Sequence, residues 1–343
     1  MVNRVFQFIG SFLLILSVFA TGAMADTLPS TTVTFAAYGD IPYMVKLPDG
    51  RTDAQVLTED IAPKIRQNDD IPFVIHVGDL GRPQDTCSDA WLEKSKAFWE
   101  NELVKPVFYT PGDNDWTDCD RANLANPKSE LGRLDAIRQI LFSQPKTLSP
   151  EWRYERQEGF PENETWWYNG VLFVTQHDVS TDNGRTEILL DDPQKAIQLA
   201  DERDEANLVW LDRAFEKATN SDTAAVVVAT QLDPFGPAQG DETPLSRCLS
   251  NPAYKGFCVH LQAFASKLDK PVLLIHGDTN AYCLDQPFSV EEAPKLWRLN
   301  APGDYKYIDA SLISFDPTSS AQPFKVTGLL SGNTPPQVCD YSF

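Results

Sequence analysis

Histidine is scarce in this chain. Its 343 residues hold four, His76, His177, His260 and His276, so a metal centre that draws most of its ligands from imidazole has no supply of them. No Cys-x-x-Cys pair occurs among the six cysteines, which removes the usual zinc-thiolate sites. Positive charge is short as well: 29 Lys and Arg stand against 49 Asp and Glu, giving a formal net charge of −20 and a pI near 4.5. A surface this acidic repels nucleic acid and anionic membranes. The sequence shows neither an internal repeat nor a low-complexity segment.

The N-terminus reads as an export signal. Arg4 precedes an apolar run over residues 6–19, and Ala23-Met24-Ala25 fits the small-x-small rule for cleavage. The run is too short for a comfortable membrane span. The expectation is a signal peptide over residues 1–25, then one domain over 26–343, secreted or periplasmic and with no membrane attachment after cleavage. All six cysteines follow that point, and an even count in an exported chain points to disulfides. Several connectivities are open. The expected one is Cys87–Cys119, Cys248–Cys258 and Cys283–Cys339, the first because both cysteines follow strand tips.

What the chain does repeat is one local design. Residues 71–81 (IPFVIHVGDLG) read as a short buried strand through Phe73, Val74, Ile75 and Val77, stopped by Gly78 with Asp79 at its carboxyl end. Residues 34–40 end likewise at Gly39-Asp40, 106–113 at Gly112-Asp113, and 271–278 at Gly277-Asp278. In an open α/β sheet the strand tips face one crevice, where ligands bind. Four carboxylates meeting there need a cation or protons to compensate them, and a metal site is the simplest reading.

Apolar periodicity predicts helices over 53–67, 88–103, 130–142, 194–217 and 256–268, with Ile197, Leu208, Leu211 and Phe215 on the buried side of the fourth. Ser88 and Asp89 are plausible helix caps. Strands are predicted over 33–37, 107–109, 171–175, 224–229 and 272–275, with closing strands over 297–299, 305–308, 312–315 and 324–329. Residues 152–167 read as irregular, 180–185 as a loop, and 233–251 as a polar loop over the crevice. Strands alternating with helices indicate an α/β fold.

The ordered Gly-Asp tips, with Pro111-Gly112-Asp113-Asn114-Asp115-Trp116 among them, resemble the calcineurin-like metallophosphoesterases over roughly residues 33–315. Their motifs run D-x-H, G-D, G-N-H-[DE], an isolated histidine and G-H-x-H. The resemblance implies a four-layer αββα sandwich, two mixed sheets flanked by helices, and two metals sharing a bridging aspartate. It places Asp40 on the first motif, Asp79 on the bridging ligand, Asp113 on a metal-binding asparagine and Asn114 on the catalytic histidine. Gln231 and Asp233 fall near the isolated histidine, and Asp278 and Asn280 on the two histidines of the last motif. Pro42 stands where the first motif has histidine and offers no ligand.

Oxygen has replaced nitrogen throughout that set. Asp40, Asp79, Asp113 and Asp278, with Gln231, Asp233 and Asn280, would hold one or two hard divalent cations, Mn²⁺, Mg²⁺ or Ca²⁺ in preference to zinc. Asn114 takes the leaving-group position and Asp115 is a candidate for handling protons. His276 is a candidate for contact with metal or phosphate, and Arg121 for a phosphate clamp through its planar fork. Two functions stand side by side: an exported metal-dependent phosphoesterase acting on a small phosphate ester, and a catalytically silent metal- or ligand-binding protein on the same scaffold. A third is calcium binding for stability alone. His76 and His260 read as structural, and Trp152, Trp166 and Trp167 as core. His177 and Asn183 are further candidates for the site, and Asn163-Glu164-Thr165 is a sequon where the host glycosylates.

Overall fold

The structure, a computed structural model, describes residues 32–236, 242–339 and 341. The expected signal peptide lies outside the described residues. Among the described residues, twelve strands form two mixed sheets. The first sheet contains β1 (Val33–Tyr38), β2 (Val74–His76), β3 (Val107–Tyr109), β11 (Ser311–Phe315) and β12 (Phe324–Gly328), in the order β12-β11-β1-β2-β3. The second contains β4 (Glu155–Gln157), β5 (Phe160–Tyr168), β6 (Val171–Thr175), β7 (Ala225–Ala229), β8 (Val272–His276), β9 (Cys283–Asp285) and β10 (Leu296–Asn300), in the order β4-β5-β6-β7-β8-β10-β9. β1, β2 and β3 run parallel, as do β6, β7, β8 and β10.

Side-chain alternation along the strands builds the layers. In β1, Val33, Phe35 and Ala37 face the second sheet, while Ala36 and Tyr38 face outward. The outward side is covered by α1 (53–67), α2 (89–103) and α3 (Glu130–Leu141). In β7, Ala225, Val227 and Ala229 face inward, while Val226 and Val228 pack on α4 (Pro193–Ala218) and on α6 (Pro252–Lys267), which follows the short α5 (Pro244–Ser250). Between the sheets Phe73 makes edge-on contacts with Phe108, Trp166 and Phe173. The Trp166 ring stacks flat on Phe108, and Trp152 packs against both Phe73 and Phe108, so this cluster is core as expected. The result is the expected αββα sandwich.

Four expectations need correction. Residues 160–168 form a nine-residue strand rather than an irregular stretch, and the acidic residues that suggested otherwise are buried with partners. Glu162 pairs with Arg138, Glu164 with Lys146, and Asn163 with Asn207. Residues 305–308 form no strand, because Asp304 and Tyr305 turn the chain with φ of 49° and 66°. The expected loop at 233–251 contains the helix α5, begun by Thr243 as its cap and Pro244 in the first turn. Ile197 is exposed, while Arg203 and Asn207 take buried positions on α4. Within α1, the wide turn over Leu57–Ile61 sits just before Pro63, whose missing N–H breaks the regular ladder there.

All three expected disulfides form. Cys87–Cys119 joins the segments that follow β2 and β3, Cys248–Cys258 joins α5 to α6, and Cys283–Cys339 joins β9 to the C-terminal segment. Among the described residues no helix is long and apolar enough to cross a membrane.

Candidate functional site

The parallel strands of both sheets end on the same side of the sandwich, and their tips meet at the seam. The first link across it is Asp278 N–H, which donates to Asp40 Oδ1 at 3.1 Å. Gln231 Nε2 donates to Asp113 Oδ1 at 3.0 Å and Asp278 Oδ1 at 3.1 Å. Asn114 N–H lies 2.9 Å from Asp113 Oδ1 and 3.3 Å from Asp79 Oδ1. The four strand-tip aspartates therefore share one site. Three of them hold their backbones in the left-handed region, with φ of 53° at Asp40, 55° at Asp79 and 70° at Asp278. Aspartate tolerates that region better than most residues, and such strain concentrates at functional sites. Gly112 completes the fit, because a Cβ there would overlap the Asp79 carboxylate.

The electrostatics are those of uncompensated charge. Burial, then repulsion from neighbouring carboxylates, pushes Asp40, Asp79 and Asp278 well above the ordinary carboxylate range. For Asp40 the strongest neighbour is Asp304, whose own carboxyl is raised to about 6 by burial and by Asp113.

Three residues that the sequence reading missed belong to this site. The Tyr43 hydroxyl donates to Asp79 Oδ2 at 2.7 Å and accepts from Asn114 Nδ2 at 2.9 Å. The Ser180 hydroxyl donates to Asp113 Oδ2. Asp304 N–H donates to Asp40 O at 3.1 Å, which brings its carboxyl beside the first tip. Tyr43 could have been found, since it follows Asp40 closely in sequence. Ser180 could not, because it is delivered by the left-handed turn Thr181, Asp182 and Asn183, with φ of 59°, 51° and 56°.

Other expected residues turn out to be engaged elsewhere. Asp115 accepts from the N–H groups of Asp79, Leu80 and Gly112 and from the Tyr109 hydroxyl, all within 3.0 Å. Its carboxylate braces the β2 and β3 tips, which leaves the expected proton-handling role without a free oxygen. Asp233 Oδ1 closes its own turn by accepting from Phe235 N and Gly236 N, and Oδ2 accepts from Thr279 Oγ1 beside the Asp278 tip, so both oxygens are engaged in positioning these segments. Arg121 pairs with Asp118 and Glu187 at the surface, as a salt bridge and not a clamp. His276, the last residue of β8, is fully buried, with Nδ1 3.1 Å from Gly277 O and Nε2 3.8 Å from Asp233. Gln231 turns its nitrogen, not its oxygen, toward the carboxylates. Asn280 is buried just beyond Asp278. Asn183 bonds Asp178 and Asp204 behind the turn and does not reach the tips.

A buried polar network supports the floor of this end. His177 Nδ1 lies 3.0 Å from Glu162, which also pairs with Arg138, and the His177 carbonyl accepts from Asn207. Burial drives His177 from 6.5 down to about 4, against the pull of Glu162. Burial works to raise Glu162, but His177 and Arg138 prevail and hold it at about 2. Below pH 6.5 the unfolded His177 therefore binds a proton that the folded one refuses, and stability falls as pH drops toward 4. His177→Gln removes that limb: the unfolding free energies of wild type and variant converge, by of order 3 kcal/mol, between pH 7 and pH 4. Parallel curves from urea titrations at each pH would refute this role.

No protein-family model matches the chain, and no curated protein does. Among solved structures, one described as the structure of PhoD aligns with a TM-score of 0.55 and 10% identity, over 91% of this chain and 69% of that one. The likeness is one of fold, two mixed sheets flanked by helices. A crystal structure of 5'-nucleotidase from Candida albicans SC5314 aligns more loosely, with a TM-score of 0.46 and 9% identity over 88% of this chain and 52% of that one. On this fold, the strand tips of this chain carry aspartates held by hydroxyl and amide donors. Among the described residues, no three His, Cys, Asp or Glu side chains stand ready arranged around a metal ion. The donor chemistry nevertheless fits a hard cation, because the tip carboxylates are buried, all-oxygen and repel one another.

Proposed function

We propose that this protein is an exported hydrolase of small phosphate esters that works with a divalent cation held by Asp40, Asp79, Asp113 and Asp278. The observation that carries the reading is the convergence of these carboxylates on the metallophosphoesterase fold, where burial and neighbouring carboxylates push Asp40, Asp79 and Asp278 upward. A phosphate monoester is itself an anion and would be repelled by such a cluster alone. A bound divalent cation supplies Lewis-acid polarisation of the phosphoryl group and a more acidic water. The oxygen donors favour Mg²⁺, Mn²⁺ or Ca²⁺ over zinc. Asn114, which gives one amide N–H to Tyr43, presents its other N–H as a neutral donor at the leaving-group side, where it orients without supplying a strong acid. Substrates with good leaving groups, such as aryl phosphates, suit that arrangement best. Three disulfides support maturation in an oxidising compartment.

The purified protein should hydrolyse an aryl phosphate when Mn²⁺ or Mg²⁺ is supplied, and chelator should abolish the reaction. Absence of turnover with every divalent metal tried would end the enzyme reading. A silent binding protein is the second reading, favoured by the tip carboxylates already having partners in Ser180, Gln231 and Tyr43. It predicts a metal-dependent rise in melting temperature without turnover.

A further inference from the structure

We infer that the centre takes a single cation, at its Asp40–Asp79 end, because the Gln231 amide occupies the place of a second one between Asp113 and Asp278. This rests on reading the tips as a cation site. Gln231 Nε2 sends one N–H to each carboxylate, at 3.0 Å and 3.1 Å, and so lies where a bridging ion would draw the two together. Its orientation is fixed from the other side, since Oε1 accepts from Ser180 N–H at 3.2 Å. Turning the amide over to offer its oxygen to a metal would set its NH₂ against that N–H, leaving two donors facing each other.

The side chain has no room to withdraw. Gln231 is fully buried, and a Cβ on Gly78 would stand 2.6 Å from its Cγ and 2.8 Å from its Cβ. Ser180 Oγ adds a donor to the second oxygen of Asp113. At the Asp113–Asp278 end both Asp113 oxygens and Asp278 Oδ1 thus accept from neutral N–H and O–H groups, which stabilise a carboxylate pair as a weaker substitute for positive charge. The other end is held by backbone N–H groups and a phenol, with no amide bridging its two carboxylates: Asn114 N–H lies 3.3 Å from Asp79 Oδ1 and Asp278 N–H 3.1 Å from Asp40 Oδ1. The Tyr43 hydroxyl lies 2.7 Å from Asp79 but 3.4 Å from Asp40, and Asp40 Oδ2 has a contact of 3.4 Å with Asp278 N–H. Acceptor capacity remains there for an ion.

The test is a count. The full chain, stripped with chelator and desalted, is titrated with Mn²⁺ by calorimetry, and the bound metal is measured by elemental analysis. Wild type should bind one ion per chain. Gln231→Glu, which exchanges the amide for a carboxylate of the same shape, should bind two. Two ions on wild type would overturn the inference and leave the cation reading standing, whereas no ion on wild type would overturn both. A Gln231→Glu protein that folds and still binds one ion would remove Gln231 as the cause. If that variant does not fold, the wild-type count decides alone.

Discussion

Asp79→Asn eliminates metal-stimulated phosphate-ester hydrolysis, with kcat/KM falling by ~10³-fold or more, and in chelator the same variant melts at a higher temperature than wild type. The first effect follows from the place of Asp79 at the middle of the tips, beside Asp113, Asp40 and Asp115. Losing a cation's stabilisation of developing charge costs several kcal/mol, and every 1.36 kcal/mol is about tenfold in rate. The second follows from charge. With no ion bound, the Asp79 carboxylate is buried and repelled by its neighbours, so an amide of the same shape removes a destabilising term. Asparagine can still accept from Tyr43 through its oxygen. Kinetics with Mn²⁺ and a melting curve in chelator check the two halves separately. Retained turnover would displace the centre from Asp79, and a lower melting temperature in chelator would show that its charge is already compensated.

Asp115→Ala should be the most destabilising single change at this end of the molecule, lowering the unfolding free energy by about 4 kcal/mol or more. Its carboxylate accepts three backbone N–H groups and one phenol while fully buried. Truncation leaves those donors without partners, and each buried orphan costs roughly 1–3 kcal/mol. The groups it releases belong to the Asp79 and Gly112 turns, so metal binding should weaken together with stability. Chemical denaturation at neutral pH measures the loss, and a change below about 1 kcal/mol would show that water replaces the carboxylate without penalty.

The strand tips were legible in the sequence because each is a local pattern. A β-branched or aromatic run stopped by Gly-Asp needs only a few consecutive residues to be recognised, and the Cys87–Cys119 pair followed from the loops that two of these tips begin. The rest of the site depends on contacts between distant segments. Nothing local distinguishes Asp115, which braces, from Asp113, which faces the cluster. Gln231 and Asp233 end the same strand, yet one reaches the carboxylates and the other closes a turn. Polarity also misled where it was buried, since the acidic residues Glu162 and Glu164 made a nine-residue strand read as irregular. Their partners Arg138 and Lys146 lie on another layer, out of reach of any pattern read along the chain.

The hydrogen bond from Asp278 to Asp40 spans 238 positions, and this has a consequence for biosynthesis. A nascent chain has no centre until its last third has been made and folded back onto its beginning. Forms that end before residue 278 therefore lack the Asp278 N–H that ties the first strand tip to the second sheet, and keep Asp40 and Asp79 without that brace.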